Sequence, residues 1–220
     1  MTITAESPLT LLRRWITSIT RPAVVTFFVS SSLFSIVRFT DSPTLNSDHF
    51  VVGVVKNKRV WKYIKEEYVE SNHPNLNSWK VLISSAIGNG NYGEPIGKTL
   101  ILQPGQCYTQ TYLGIGPFSS KEEAENAEKY LKTRFCRSLI GVLKTTQHIT
   151  PDTFRFVTLE NFSSESDVDW SCSISDVDCQ LFKKYSFSSE DIDLFQINDS
   201  HLIIDIDSRE IKFEETDLAK

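Results

Sequence analysis

Short runs of hydrophobic residues recur along the chain, and most contain β-branched and aromatic side chains or alternate with polar ones, which is typical of β-strands. Turn-forming segments separate these runs, as expected for a mainly antiparallel sheet. Strands are therefore predicted at residues 27–39, 50–55, 79–87, 99–102, 108–115 and 154–159. Residues 60–69 fit either a strand or a helix, and residues 201–213 predict a β-hairpin that turns near residues 207–208.

The clearest helical pattern covers residues 121–144, where apolar residues recur at a spacing of three and four. Ser119 or Ser120 can cap its N-terminus, with Glu122 and Glu123 in the first turn. Shorter helices are predicted at residues 8–21 and 175–184, and another begins near residue 188. The apolar stripe of the long helix is formed by Ala124, Ala127, Leu131, Phe135, Leu139 and Val142.

Together these elements predict an α+β fold in which a curved, mainly antiparallel sheet packs on one long helix. A smaller acidic part with helices and a hairpin follows. Residues 1–159 contain 18 Lys and Arg against 12 Asp and Glu, whereas residues 160–220 contain 5 against 16, so charges of +6 and −11 sum to −5. We therefore predict a basic α/β domain over residues 1–159 and an acidic segment over residues 160–220. The asymmetry favours an electrostatic partner for the basic part, with neutralisation by its own acidic segment as the alternative.

The composition excludes several classes of protein. With 40% hydrophobic residues in 220, the chain can bury a core and is not of the disordered class. Its four cysteines have no Cys-x-x-Cys spacing, which predicts reduced thiols in a cytoplasmic protein and no zinc site. The hydrophobic stretch at residues 22–37 is too short and too polar for a membrane span and predicts buried strands or a core helix.

Two motifs suggest catalysis or cofactor binding, and each has a simpler interpretation. Residues 88–93 fit G-x-G-x-x-G, but Pro95 follows instead of a helix that could hold a pyrophosphate, so we predict a flexible or tightly turned loop able to approach a DNA backbone. Asp205, Asp207, Glu210 and Lys212 are similar to the acidic set of metal-dependent nucleases, although they lie within one hairpin. We predict no catalytic residue, no metal and no cofactor, and His148 is interpreted as structural.

Basic and amide side chains form the more informative set. Lys and Arg neutralise phosphates, and Asn and Gln on loops can hydrogen-bond to base edges. The predicted DNA-binding residues are Arg38, Lys56, Lys58, Arg59, Lys80, Asn89, Asn91, Lys98, Gln110, Lys132, Arg137, Lys144 and Gln147.

Long segments of the chain resemble a known family. They are residues 28–43 (FVSSSLFSIVRFTDSP), 79–93 (WKVLISSAIGNGNYG), 108–118 (YTQTYLGIGPF), 121–148 and 169–195. In order along the chain, they resemble the C-terminal target-recognition region of bacterial type II restriction–modification enzymes that carry an adenine-specific DNA methyltransferase. The resemblance spans roughly residues 26–196.

The resemblance implies contact with double-stranded DNA. The Asn/Asp-Pro-Pro-Tyr/Phe motif that holds the target adenine in that family is absent, as is a glycine-rich loop for S-adenosylmethionine. The chain therefore looks like a target-recognition domain that lacks its own methyltransferase core and works with a separate methyltransferase or nuclease subunit. The alternatives are a metal-dependent DNA endonuclease and an acidic DNA mimic or interaction protein.

Overall fold

A computed structural model describes residues 24–25, 39–46, 48–69, 75–189, 192, 201–205 and 210–214. The predicted helix at residues 8–21 lies outside these residues, as do most of the hydrophobic stretch at 22–37 and most of the helix predicted from residue 188. Among the described helices, none is long and apolar enough to cross a membrane.

The first sheet has four antiparallel strands in the order β1-β8-β5-β6. It consists of β1 (Val24–Val25), β8 (Tyr112–Phe118), β5 (Trp79–Ser84) and β6 (Leu100–Leu102). Side chains alternate between the two faces of a strand, and β5 is buried on both. One face joins the core beneath the helices, whereas the other joins the core shared with the second sheet.

The second sheet is built around a hairpin and has the order β2-β4-β3-β7. Its strands are β2 (Phe39–Thr40), β3 (His49–Val55), β4 (Lys58–Ile64) and β7 (Cys107–Tyr108), and only the β3–β7 pair is parallel. The two-residue turn between β3 and β4 places Lys56 and Asn57 at φ 48° and 61°. Such a left-handed turn matches the twist of paired strands, and Asn tolerates it well.

Three α-helices of the described residues contribute to the core on one face of the first sheet. They are α1 (Lys121–Lys132), α2 (Arg134–Gly141) and α3 (Ile174–Lys184). Ser120 caps α1 by accepting a hydrogen bond from the Glu123 N–H, as the sequence predicts. Short 3-10 helices lie at Glu66–Tyr68 and Pro151–Phe154.

The α+β fold predicted from the sequence is confirmed, with two corrections to its elements. The single helix predicted at residues 121–144 is divided at Thr133, whose extended backbone ends α1 and caps α2. The strand predicted at residues 154–159 is wrong: a 3-10 helix ends at Phe154 and irregular backbone follows. Residues 60–69 divide between β4 and the 3-10 helix at Glu66–Tyr68.

Buried polar contacts tie the irregular segment after Phe154 to the helices. The Glu160 carboxylate accepts hydrogen bonds from the Thr158 and Tyr185 hydroxyls and pairs with the Lys184 ammonium at 2.8 Å. Burial alone would lower the pKa of Lys184, but its two carboxylate partners raise it above its usual range. The C-terminal hairpin predicted from the sequence is confirmed as antiparallel strands β9 (His201–Asp205) and β10 (Glu210–Glu214).

Candidate nucleic-acid interface

Lys80 and Lys144, two of the predicted DNA contacts, point into the protein. The Lys80 ammonium, on a residue 1% exposed, donates to the backbone carbonyls of Asn75 at 2.6 Å and Ser78 at 3.0 Å. Burial lowers its pKa to about 8. Lys144 is 4% exposed and forms an ion pair with the Glu94 carboxylate. Neither ammonium has the exposure that a phosphate contact requires, so the prediction of DNA contact is corrected for these two residues.

The glycine-rich loop at residues 88–97 is a folded unit held together by Glu94. Its carboxylate accepts hydrogen bonds from the backbone N–H of Asn89 at 2.9 Å and of Gly90 at 3.2 Å, besides the pair with Lys144. Gly90 lies at φ 92°, and a Cβ there would come within 2.9 Å of the Thr145 carbonyl oxygen. Because the loop uses these N–H groups internally, it does not form a phosphate cradle.

Four cations line an open groove of about 680 Å³ between α2 and α3, which we call the α2–α3 groove. Arg134 and Arg137 lie one turn apart on α2, Lys132 ends α1, and Lys183 lies in the last turn of α3. Asp178 is the one carboxylate among the described lining residues, so the formal charges of these residues sum to +3. Lys132 also pairs with Glu128 at 2.9 Å, whereas Arg134 and Lys183 are exposed.

Asp178 builds this groove by joining α3 to the start of α2. Its carboxylate accepts hydrogen bonds from the backbone N–H of Arg134 at 3.0 Å and of Phe135 at 2.9 Å. Burial raises the pKa of Asp178, although the two N–H groups oppose the shift. Because Asp178 caps the first turn of α2, where a helix lacks internal acceptors, the carboxylate is committed to the fold.

Arg137 connects the groove with the amide-bearing loops. Its guanidinium Nε donates to the Thr133 carbonyl at 3.3 Å, and burial lowers its pKa. The same side chain lines a small cleft together with Asn91 and Gly93. Asn89 and Gln147 are exposed, and the Gln147 carbonyl accepts a hydrogen bond from the Ile87 N–H at 2.7 Å, which holds the segments before these two residues together.

The other predicted contacts lie apart from the groove. Lys56, Lys58 and Arg59 are exposed at the tip of the β3–β4 hairpin, where the Arg59 guanidinium donates to the Tyr112 hydroxyl at 3.3 Å. Lys98 is exposed before β6, and Gln110 is exposed between β7 and β8. Arg38 lies outside the described residues. The structure thus places Arg137 with Lys132 in the groove and with Asn91 in the small cleft, and it leaves the hairpin cations as a second group.

Arg134 and Lys183 are groove residues that sequence reasoning missed. Arg134 follows the helix break at Thr133, which hid its position at the start of a new helix. Lys183 lies in the acidic segment, where the net charge obscured it. The spacing of Arg134 and Arg137, three residues apart on a helix, is the signal that could have identified the pair.

The residues proposed above for a nuclease are described only through their backbone. Strand register places Asp205 opposite Glu210 and Ile203 opposite Lys212 in the C-terminal hairpin. Asp207 lies outside the described residues. Within the part of the chain that the structure covers, no group of three or more His, Cys, Asp or Glu side chains is arranged to hold a metal ion.

The chain was also compared with known proteins. No protein-family model, curated protein or solved structure matches it.

Proposed function

We propose that the chain is a DNA-recognition module of a restriction–modification system, and that the α2–α3 groove contacts the phosphate backbone of duplex DNA. The observation that carries the proposal is the convergence of Lys132, Arg134, Arg137 and Lys183 on one open groove. Their charge cannot be neutralised by Asp178 alone, because that carboxylate is engaged by the N-terminus of α2. A polyanion that follows the groove would satisfy several of these cations together.

The surroundings of the groove suit a nucleic acid better than a small anion. The groove is open along its length, and Arg137 extends its cationic lining towards the loop that carries Asn91. Phosphate contacts fix the position of a protein on DNA, whereas amide side chains can read base edges. The groove would therefore set the register, and the exposed amides of Asn89, Asn91 and Gln147 would contact the bases.

The proposed module works with other components. In this proposal the methyltransferase or nuclease chemistry comes from outside residues 1–220, which contain neither methyltransferase motif. A cytoplasmic location is part of the same proposal, and the four free thiols, at Cys107, Cys136, Cys172 and Cys179, support it.

Fluorescence anisotropy with a labelled duplex tests the proposal. The variant Arg134→Ala/Lys183→Ala removes two exposed groove cations without touching the hydrogen bonds that Asp178 makes to the backbone. We expect it to bind duplex DNA roughly tenfold more weakly at ~50 mM salt and to flatten the salt dependence by about two phosphate contacts.

The matched control is Lys121→Ala/Arg155→Ala, which removes the same charge from exposed cations outside the groove. Each of these pairs with a nearby carboxylate, Glu125 or Asp152. We expect its duplex affinity to stay within about twofold of the wild type. Equal affinity and equal salt slope for the wild type and both variants would contradict the proposal, as would a lack of wild-type binding at low salt.

A further inference from the structure

The β3–β4 hairpin carries three aromatic side chains on one face. Strand register pairs Phe50 with Tyr63 and Val52 with Trp61, which places the three rings on the same side. Phe50 stacks on Trp61 with ring centroids 4.6 Å apart and an interplanar angle of 17°, and its centroid lies 4.8 Å from that of Tyr63. All three side chains are partly exposed. We call Phe50, Trp61 and Tyr63 the aromatic face.

Cations continue this face towards the tip of the hairpin. Arg59 alternates with Trp61 and Tyr63 along β4 and therefore projects to the same side. The Tyr112 hydroxyl accepts a hydrogen bond from the Arg59 guanidinium, which orients the guanidinium at the end of the aromatic row. Lys56 and Lys58 add two exposed ammonium groups at the turn. Lys62 projects to the opposite side, where it pairs with Asp41 at 3.1 Å.

We propose that the aromatic face is a stacking site for unpaired nucleobases, and that Arg59, Lys56 and Lys58 hold the phosphates of the same single strand. Aromatic rings next to backbone-binding cations form the combination by which proteins bind single-stranded nucleic acid without regard to sequence. A duplex does not fit this face, because its base faces are covered by neighbouring base pairs. The site therefore takes a single-stranded segment.

The aromatic face and the α2–α3 groove use different residues, so the two proposals can fail separately. The groove lies between two helices and is lined by cations, whereas the hairpin carries cations beside three partly exposed aromatic rings, of which Trp61 also packs against the core shared by the two sheets. A protein partner could also cover apolar rings. However, the exposed cations at positions 56, 58 and 59 favour a polyanionic occupant over an apolar protein surface.

The first experiment compares two single-stranded probes on the wild-type protein. One probe is a labelled 12-mer of deoxythymidine, and the other is a 12-mer of abasic deoxyribose phosphates, which has the same charge but no bases. If bases stack on the aromatic face, the thymidine probe binds at least about tenfold more tightly than the abasic probe. Equal affinity for the two probes overturns the proposal.

The second experiment uses variants that keep the hairpin apolar. Phe50→Leu and Tyr63→Leu each remove an aromatic ring, and we expect each to weaken thymidine 12-mer binding about tenfold while leaving abasic and duplex binding unchanged. Tyr63→Phe keeps the ring and should bind like the wild type. Tyr68→Leu is the matched control, because Tyr68 is an exposed tyrosine outside this face.

The outcomes distinguish the two proposals. Equal losses for the thymidine and abasic probes, or no loss for either leucine variant, overturn the stacking site. If a leucine variant unfolds, the comparison of the two probes on the wild type still decides. Duplex binding by the variant Arg134→Ala/Lys183→Ala tests the groove proposal separately.

Discussion

Lys80 is a lysine that the sequence predicts to contact DNA, but strand β5 buries its ammonium inside the protein. It lies in β5 between Trp79 and Val81, and its ammonium is surrounded by backbone carbonyls without a carboxylate partner among the described ion pairs. Burial lowers its pKa to about 8, whereas burial raises the pKa of the nearby Cys107 thiol to about 12. The charged form of Lys80 is therefore disfavoured in the folded protein.

The lowered pKa of Lys80 predicts that the contribution of this group to stability increases as pH rises, whereas the raised pKa of the buried Cys107 thiol acts in the opposite direction above pH 9. The folded pKa of about 8 lies below the usual 10.5, so between these values the unfolded chain binds more protons. We expect the free energy of unfolding to gain up to about 3 kcal/mol from this group across that window. Urea titrations at pH 7.5 and pH 10 measure the gain.

The control for this measurement is Lys80→Met, which keeps the length of the side chain and removes its charge. Tyrosines also titrate in the same range, so the difference between wild type and variant isolates Lys80. The variant should lack the wild type's extra gain in stability between the two pH values. The same gain in stability for the wild type and the variant would contradict the lowered pKa of Lys80.

The hydrogen bonds of Asp178 lead to a second prediction, which concerns the stability of the protein. Asp178→Ala leaves the Arg134 and Phe135 N–H groups without their acceptor, and a lost partner of this kind costs about 1–3 kcal/mol. Thermal and urea unfolding should show that loss. The comparison is Asp176→Ala, since Asp176 is exposed and its carboxylate accepts only the Ser173 hydroxyl among the described contacts. Equal unfolding midpoints for the two variants would exclude a capping role for Asp178.

At the scale of elements, Thr133 explains why one predicted helix became two. The apolar stripe continues through it in helical register, and neither Gly nor Pro marks a break. The Thr133 hydroxyl donates to the Tyr130 carbonyl at 2.6 Å and accepts from the Cys136 N–H at 3.1 Å, so it ends α1 and caps α2. The second cap comes from Asp178 in α3, which local sequence patterns do not reveal.

The same difference between local and long-range information decides how much could be predicted. Strands β3 and β5, the glycine-rich loop and the C-terminal hairpin were predicted because their alternation and turn residues are local. The strand predicted at residues 154–159 failed because Phe154 and Val157 are buried from irregular backbone, where the Thr158 carbonyl accepts a hydrogen bond from the Tyr130 hydroxyl at 3.1 Å.

For the site, local patterns identified Lys132 and Arg137 but could not show that α3 would bring Lys183 beside them. They also could not separate Lys80 and Lys144 from exposed lysines. The ion pair of Lys144 comes from Glu94, 50 residues away in sequence. The sequence therefore supplied the cationic residues, whereas the pairing of distant elements determined which of them reach the surface.

The Glu94–Lys144 pair predicts how the glycine-rich loop is held. Burial would raise the pKa of Glu94, but the Lys144 ammonium and the N–H groups of Asn89 and Gly90 outweigh it and hold the pKa below its usual value. Glu94→Gln leaves a buried, unpaired ammonium, which costs about 3–5 kcal/mol. Hydrogen exchange should show faster exchange over residues 88–97, and urea unfolding should show the lost stability.

The double variant Glu94→Gln/Lys144→Met provides the control for the loop. It removes the stranded charge, so we expect it to recover a large part of the stability that Glu94→Gln loses. If the double variant is as unstable as the single variant, the hydrogen bonds to Asn89 and Gly90 hold the loop, and the ion pair contributes little.

At the scale of the whole molecule, a net charge of −5 coexists with a cationic groove. The groove draws on α1, α2 and α3, whereas much of the negative charge lies in the last part of the chain. Residues 197–220 contain seven Asp and Glu against three Lys and Arg, so they contribute −4 of the −5. Charge at this scale acts on association with a polyanion more than on the fold.

This distribution predicts that removing residues 197–220 strengthens duplex binding at low salt. The net charge changes from −5 to −1, and strands β9 and β10 pair only with each other among the described sheets, so the groove should be preserved. We expect a several-fold higher affinity at ~50 mM salt that disappears near ~500 mM, because salt screens charges farther apart than a few ångströms. The matched control retains residues 197–220 but has four of their seven carboxylates replaced by amides, which also changes the net charge from −5 to −1, so it should behave like the truncation. If only the truncation binds more tightly, or if its advantage persists at high salt, residues 197–220 weaken binding by occupying space and not by their charge.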